Sequence, residues 1–379
     1  MTRNKIFKWM ISLAFLLIGI IGLLLLQTLI FPSNQKIMLN AENTLQHTPK
    51  HFETEAVIAG IGDILIHDTV YNEALTVDDQ YNFDHLFKPV YSLLNKPDFL
   101  IANQESIPGG TELGISSYPS FNSPHEIVDA LMNAGVDMVT TANNHMLDKG
   151  ENGILSAIGY YEEKDLPYTG TFKSPEDKNT IRIANVNGIK LAVLAYSYGT
   201  NGVPIPADKD YLVSMLEPKQ VLQDIDKAKE ESDIVLLALH WGDEYARTPN
   251  QTQKELAHQF IEAGADIIFG HHPHVLQPIE WIDKPNGEKG LVVYSLGNFI
   301  SGQKTENPYK DLGGMIEVSL RKKIDGKGSY TKIKDVDFHP TYTSSTQFKN
   351  YRVYPIDEAK KEGFTHYTRK DLKQFMFPK

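Results

Sequence analysis

Two hydrophobic patterns divide this chain. Residues 10–31 are almost unbrokenly apolar and carry no charge, and about 20 such residues suffice to cross a bilayer as a helix. Arg3, Lys5 and Lys8 precede the run, whereas residues 32–35 are uncharged. The positive-inside bias therefore leaves residues 1–9 in the cytoplasm and everything after Phe31 outside. A cleaved signal peptide has a shorter apolar core followed by a pattern such as Ala-x-Ala, and no such pattern follows here. The expectation is a single-pass protein of the plasma membrane with an extracellular C-terminal domain. Residues 32–54 are polar, lack periodicity and read as a linker.

Beyond Glu55, short apolar runs alternate with helical periodicity. Ala56-Val57-Ile58-Ala59 runs into Gly60-Ile61-Gly62-Asp63, and Phe99-Leu100-Ile101-Ala102 ends at Asn103 and Glu105. Both read as buried strands that deliver polar residues to a loop. Ser123-Pro124-His125-Glu126 ahead of Ile127, Val128, Leu131 and Met132 predicts a helix, with Ser123 as N-cap, Pro124 first and Glu126 closing a capping box. Gly135 stops that helix, and the strand 136–141 leads to Asn143-Asn144-His145.

The same order recurs downstream: helix 252–263, a stop at Gly264, strand 265–269, then Gly270-His271-His272-Pro273-His274. Ala134-Gly135-Val136-Asp137-Met138-Val139 and Ala263-Gly264-Ala265-Asp266-Ile267-Ile268 read as a weak internal repeat. Residues 233–239 and 291–296 are further apolar strands, ending at His240-Trp241-Gly242 and Gly297-Asn298. Asn187-Gly188 between strands 181–186 and 189–195 is a hairpin signal, so the sheets are mixed. Together these elements predict an α/β domain over residues 55–345 with its site at the strand ends.

Composition narrows the class. With 379 residues, 41% of them hydrophobic, the chain can bury a large core. It has no cysteine, so the exported part needs no oxidant to fold and offers no thiolate to a metal. The net charge is −11, and setting aside the three positive charges of residues 1–31 leaves −14 for the remainder. That sign argues against nucleic-acid binding, and against docking a polyanion without intervening cations. Residues 348–379 reverse it, with eight lysines and arginines against four acids. The segment 346–379 therefore reads as a basic C-terminal tail, solvated or touching anionic lipid, teichoic acid or polyglutamate.

Five strand ends place Asp63, Glu105, Asn144-His145, His240 and His271-His272-Pro273-His274 in loops far apart in sequence. Convergence on one site is the economical explanation. Carboxylate and amide oxygens with imidazole nitrogens suit manganese, zinc or iron, and the set exceeds the four ligands of one tetrahedral zinc. Two divalent ions are implied; such a pair clamps a phosphate and acidifies a bridging water. Singly, Asp63 reads as a turn residue, Asn143-Asn144 as turn formers, and His145 as a carbonyl cap. His240 alone reads as core or surface. The three imidazoles around Pro273 have little packing value and carry the metal reading. Trp241, Tyr196 and Tyr198 read as packing residues.

The order of these residues resembles the calcineurin-like metallophosphoesterase superfamily. More closely, the motifs resemble the CapA (PgsA) family of poly-γ-glutamate capsule synthesis over roughly residues 56–302. They are Gly62-Asp63, Asn103-Gln104-Glu105, Ala142-Asn143-Asn144-His145 with Asp148 and Gly150, His240-Trp241-Gly242, His272-Pro273-His274-Val275 and Ser295-Leu296-Gly297-Asn298-Phe299.

The resemblance implies a sandwich of two mixed sheets flanked by helices. It implies Asp63 on one metal, Glu105 bridging, Asn144 on the second, and His240, His272 and His274 completing the shells. His145 takes the position of the proton donor to the leaving group, and Asn103, Asp148 and Asn298 are supporting residues. Where the superfamily has Asp-x-His, this chain has Leu65, so the first shell has either lost a ligand or recruited His67; His271 is a further candidate ligand. The expected function is a component of poly-γ-glutamate capsule synthesis or export, working with other membrane subunits. The site is expected to be either a metal-dependent hydrolase of a phosphoester or related bond, or a metal-organised binding module for anionic polymer.

Overall fold

The structure, a computed structural model, describes residues 51–326 and 328–378. The chain divides into two units, Met1–Pro49 and Lys50–Lys379, and the apolar run 10–31 lies outside the described residues. Among the described residues no helix is long and apolar enough to cross a membrane. Their strands, in chain order, are β1 (Phe52–Leu65), β2 (Phe99–Gln104), β3 (Met138–Thr140), β4 (Tyr168–Thr169), β5 (Arg182–Val186), β6 (Ile189–Ser197), β7 (Ile234–His240), β8 (Ile267–His271), β9 (Leu276–Asp283), β10 (Lys289–Leu296), β11 (Asn298–Ser301), β12 (Leu312–Asp325), β13 (Gly328–Thr346) and β14 (Lys349–Pro355).

Two mixed sheets result. The first runs β14-β13-β12-β1-β2-β3-β4, with β11 beside the end of β1; the second runs β5-β6-β7-β8-β10-β9. In the first, β1 is parallel to β2 and β11 and antiparallel to β12. In the second, β6, β7, β8 and β10 are parallel, and the edges β5 and β9 are antiparallel. The hairpin turns through Asn187 and Gly188, both with positive φ, and pairs Val186 with Ile189, as the Asn-Gly dipeptide predicts.

Period-two alternation sets the layers. Ala56 and Ile58 of β1, with Ile101 of β2, pack against Leu191, Leu236, Phe269 and Val293 of the second sheet. Ala59 and Ile61 point the other way, with Leu100 and Ala102, onto helices Glu126–Asn133 and Gly150–Glu163. The second sheet's outer face carries Leu237 and Leu239 against helices Pro218–Glu231 and Gln251–Ala263. Each fully buried aliphatic side chain of these layers contributes about 1.5–3 kcal/mol. Gly60 lies on the inner face, where a Cβ would sit 2.5 Å from the Phe269 ring; only bare backbone admits that ring.

Two expectations need correction. Helix Glu126–Asn133 begins after His125 and has no side-chain cap, because the Ser123 hydroxyl donates to Ser106 Oγ at 2.9 Å instead. Gly135, at φ +104, ends it as expected. The basic segment 346–379 is no separate solvated tail: β14 extends the first sheet beside β13. The helices Ile356–Lys361 and Arg369–Met376 then bury Ile356, Ala359, Leu372 and Met376. Among its described cations Arg352, Arg369 and Lys373 are half-buried and pair with Glu73 and Asp337.

Candidate metal centre

All the loops that carry candidate ligands lie at the carboxyl ends of parallel strands, and the packing of the two sheets brings these ends together. Asp63 lies near the end of β1, at a bulge where its N–H donates to Gly297 O at 2.9 Å. Gly62 permits this approach, since a Cβ there would lie 2.0 Å from the Gly297 oxygen. Glu105 follows β2, Asn144 and His145 follow β3, His240 ends β7, and His272 and His274 form the turn after β8 with φ of +94° and +58°.

Within this cluster, ligand-type atoms of Asp63, Glu105 and His274 lie within 4.8 Å of one another, and so do those of Glu105, His240 and His272. Glu105 is common to both groups. Asn144 joins the second: its Oδ1 is 2.8 Å from His240 Nε2, and its Nδ2 donates to Asn201 Oδ1 at 3.1 Å. That second bond fixes which way the amide faces.

Surrounding groups orient the ligands in the manner of an outer coordination shell. Asn103 Nδ2 donates to Asp63 Oδ1 at 2.8 Å. His271 Nδ1 lies 3.0 Å from the same oxygen, so His271 buttresses Asp63. The Asn298 amide donates to Gln303 Oε1 and Lys310 O, which leaves its Oδ1 facing His274 Nδ1 at 3.0 Å. His274 Nε2 is thereby turned toward Glu105 Oε1, 3.7 Å away. Asp148 Oδ2 holds His145 Nδ1 at 2.7 Å.

The electrostatics fit a cation. Glu105 is 0% exposed, yet neither of its oxygens has a hydrogen-bond partner; His240 Nδ1 and His272 Nδ1 are likewise buried and unpartnered. Such orphaned polar atoms are costly, and a divalent ion among them satisfies the carboxylate. Burial pushes the Glu105 carboxyl up to about 8, with His274 opposing and Asp63 adding to the shift. Burial opposes charge on His274 too, but Glu105 and Asp63 carry it up to about 9. Asp63 stays well below the usual carboxylate range despite burial, held by hydrogen bonds with His271 and His274. Burial keeps His240 well below the usual imidazole range and His272 down to about 2. Both rings are therefore neutral, the form that binds metal.

A cleft of about 370 Å³ opens onto the cluster, and its walls include His145, His274, Leu65, His67, Glu244 and Lys304. His67 is in the wall rather than in either ligand group; its Nδ1 lies 3.1 Å from Leu65 O and 3.2 Å from Gly302 N, and burial pulls its pKa down to about 4. Trp241 and Tyr196 pack in the core against the outer helices. Tyr198, by contrast, is half exposed and lies 4.6 Å from the His272 ring. Glu244, Asn201 and Tyr245 are additions from the structure; Glu244 looks in sequence like any solvated acid, and nothing in its context points to the cleft.

Residues 57–303 match the family described as bacterial capsule synthesis protein PGA_cap. The capsule biosynthesis protein CapA of Bacillus anthracis is 33% identical over 264 residues, covering 67% of this chain and 62% of that protein's own length. The PGA biosynthesis protein CapA of Bacillus subtilis (strain 168) is 31% identical over 293 residues, 74% of this chain and 70% of the relative. A 5'-nucleotidase precursor from Thermus thermophilus aligns with a TM-score of 0.43 at 13% identity, over 82% of this chain and 58% of that one, a likeness too loose to say anything of the site. The matched stretch 57–303 contains every one of the clustered candidate ligands, from Asp63 to His274, that the motif order singled out; the chain belongs to the bacterial capsule synthesis protein (PGA_cap) family.

Proposed function

We propose that this protein is a component of poly-γ-glutamate capsule synthesis or export, anchored by residues 10–31, with a two-metal phosphoesterase-like site facing the outside of the plasma membrane. The observation that carries the site reading is Glu105, a fully buried carboxylate without a hydrogen bond, shared between two ligand groups. Asp63 and His274 belong with one ion, and Asn144, His240 and His272 with the other. Bound there, the two ions supply Lewis-acid stabilisation of a phosphoryl group and an acidified water. The chain's own part is proton delivery: Asp148 anchors the His145 ring through Nδ1 and leaves Nε2 to carry a proton to a leaving group at the cleft.

The capsule role rests on the names of the two CapA relatives; other membrane subunits of a capsule complex are proposed as its partners. The His145–Asp148 pair favours hydrolysis over a purely binding role, because a polymer-holding site has no use for an oriented proton donor. Cells expressing Glu105→Gln in place of the wild-type chain should lose surface polyglutamate while retaining normal amounts of the protein; undiminished polymer would refute the role of the site. Protease added to intact wall-stripped cells should remove the C-terminal domain, and full protection would refute the topology.

A further inference from the structure

The two ligand groups are unequal. One has Glu105, Asn144, His240 and His272, four donors; the other has Asp63, Glu105 and His274, three, with apolar Leu65 two residues beyond Asp63 in the wall of the cleft. A transition ion with carboxylate and imidazole donors takes at least four ligands, and the fourth place beside three protein donors goes to water or to a further side chain within reach. His67 does not fill the gap, because no group of mutually close ligand atoms among the described residues includes it.

Glu244 does lie within reach. Its carboxylate shares a third group of mutually close ligand atoms with His272 and His274, all within 4.8 Å. It has no hydrogen-bond or ion-pair partner among the described residues, and it lines the cleft. Its backbone is held on both sides against the histidine turn. Trp241 N–H donates to His271 O at 3.1 Å, Tyr245 N–H to Pro273 O at 2.7 Å, and Gln277 Nε2 to Ala246 O at 2.7 Å. The Glu244 group shares His274 with the three-donor position and His272 with the four-donor one, so the carboxylate stands on the open side between the two, and of the two it is the three-donor position that has room for a further protein ligand.

We propose that Glu244 is the fourth protein ligand of the ion held by Asp63, Glu105 and His274, supplying from the loop after β7 the donor that Leu65 does not supply from β1. This rests on the two-metal reading above. The consequence is a site whose first ion is closed by a residue of the cleft wall, so that ion occupancy and cleft shape are coupled.

The test is a manganese titration of the full-length chain after chelator stripping, with bound metal counted by mass spectrometry and affinity read from free Mn²⁺ by electron paramagnetic resonance. Wild type should take up two ions. Glu244→Gln, at an exposed position, should leave one binding step unchanged and weaken the other by about 10- to 100-fold, at least the loss seen on removing an outer-shell partner. Adding Leu65→His to Glu244→Gln should recover part of the lost step. Glu244→Gln titrating like wild type would overturn the assignment, whereas wild type that binds no manganese would instead overturn the two-metal reading.

Discussion

The two sheets bring different chemistry to one place. Strand ends of the eight-stranded sheet contribute oxygen-bearing side chains, Asp63, Glu105 and Asn144, together with His145; those of the six-stranded sheet contribute imidazoles, His240, His272 and His274. The weakly repeated passages occupy matching places, β3 ahead of Asn144-His145 and β8 ahead of His271-His272-Pro273-His274. Neither sheet holds a complete ligand group, because both groups draw on both sheets. A metal bound here therefore clamps the sandwich shut at one end, and the inner core around Gly60 and Phe269 is what sets the ligand spacing.

If Glu105 is the shared link between the sheets, Glu105→Ala should reduce metal content from about two ions to nearly none. Asp63→Ala and His272→Ala should each weaken mainly one. Metal analysis of the three purified variants decides it: equal, partial losses in all three would mean that the groups are independent and the comparison between sheets is empty.

His145 stands apart from this division, since it comes from the eight-stranded sheet but belongs to no group of mutually close ligand atoms among the described residues. His145→Ala should retain metal and fold while lowering turnover of a phosphodiester by about 10²–10⁴. The loss should grow with leaving-group pKa, because a good leaving group needs little protonation. A loss that is flat across a leaving-group series would remove the donor role.

The cost of joining the two chemistries should show as pH dependence. Without metal, Glu105 has its pKa raised to about 8 and His274 to about 9. In the unfolded chain these groups titrate near the ordinary carboxylate and imidazole values. Between pH 7 and 9 the folded state thus holds protons that the unfolded state has already released, so stability falls as pH rises. Asp63, His240 and His272, all shifted downward, do not titrate in that window. The melting temperature of chelator-treated protein should fall from pH 7 to 9. That of manganese-loaded protein should fall less, since metal binding displaces those protons and strengthens with pH. Parallel curves would show that the cluster does not hold metal through these two groups.

Most of the clustered residues are legible in the sequence because each follows a short apolar run broken by a polar residue, a local signal that survives without tertiary information. What was not legible depends on partners distant in sequence. Ser123 satisfies every local rule for an N-cap, but its hydroxyl is taken by Ser106. Residues 346–379 were judged by charge, although Leu372 and Met376, spaced four apart, mark a buried helical face. The long strands β12 and β13 went unread beyond the last motif, although Ile316, Val318 and Leu320 alternate with Glu317 and Ser319 as a half-buried strand should. Glu244 could not be distinguished from Asp243 by sequence; only the fold turns one of them toward the histidines.

The smallest effect concerns how the C-terminal segment, outside the stretch that defines the family, bears on the imidazole side of the site. The Arg247 guanidinium lies between the Tyr309 ring, 3.9 Å away, and the Phe375 ring, 3.8 Å away. Arg247 belongs to the loop that carries Glu244, and Tyr309 to the loop that brings Gln303, Lys304 and Thr305 to the cleft. Phe375, on helix Arg369–Met376, therefore ties both cleft walls together through one cation. Phe375→Ala removes one face of that sandwich and should cost, in a denaturant titration, about 0.5–2 kcal/mol for the partly desolvated cation–π contact in addition to the apolar packing of the ring on the core. Metal content should not change, because no ligand is touched, but KM should rise more than kcat falls as the two walls lose their common anchor. Phe375→Leu, which keeps apolar contact and loses the ring face, should recover packing without recovering the cation–π contact. A Phe375→Ala protein with wild-type KM would confine the C-terminal helix to a structural role.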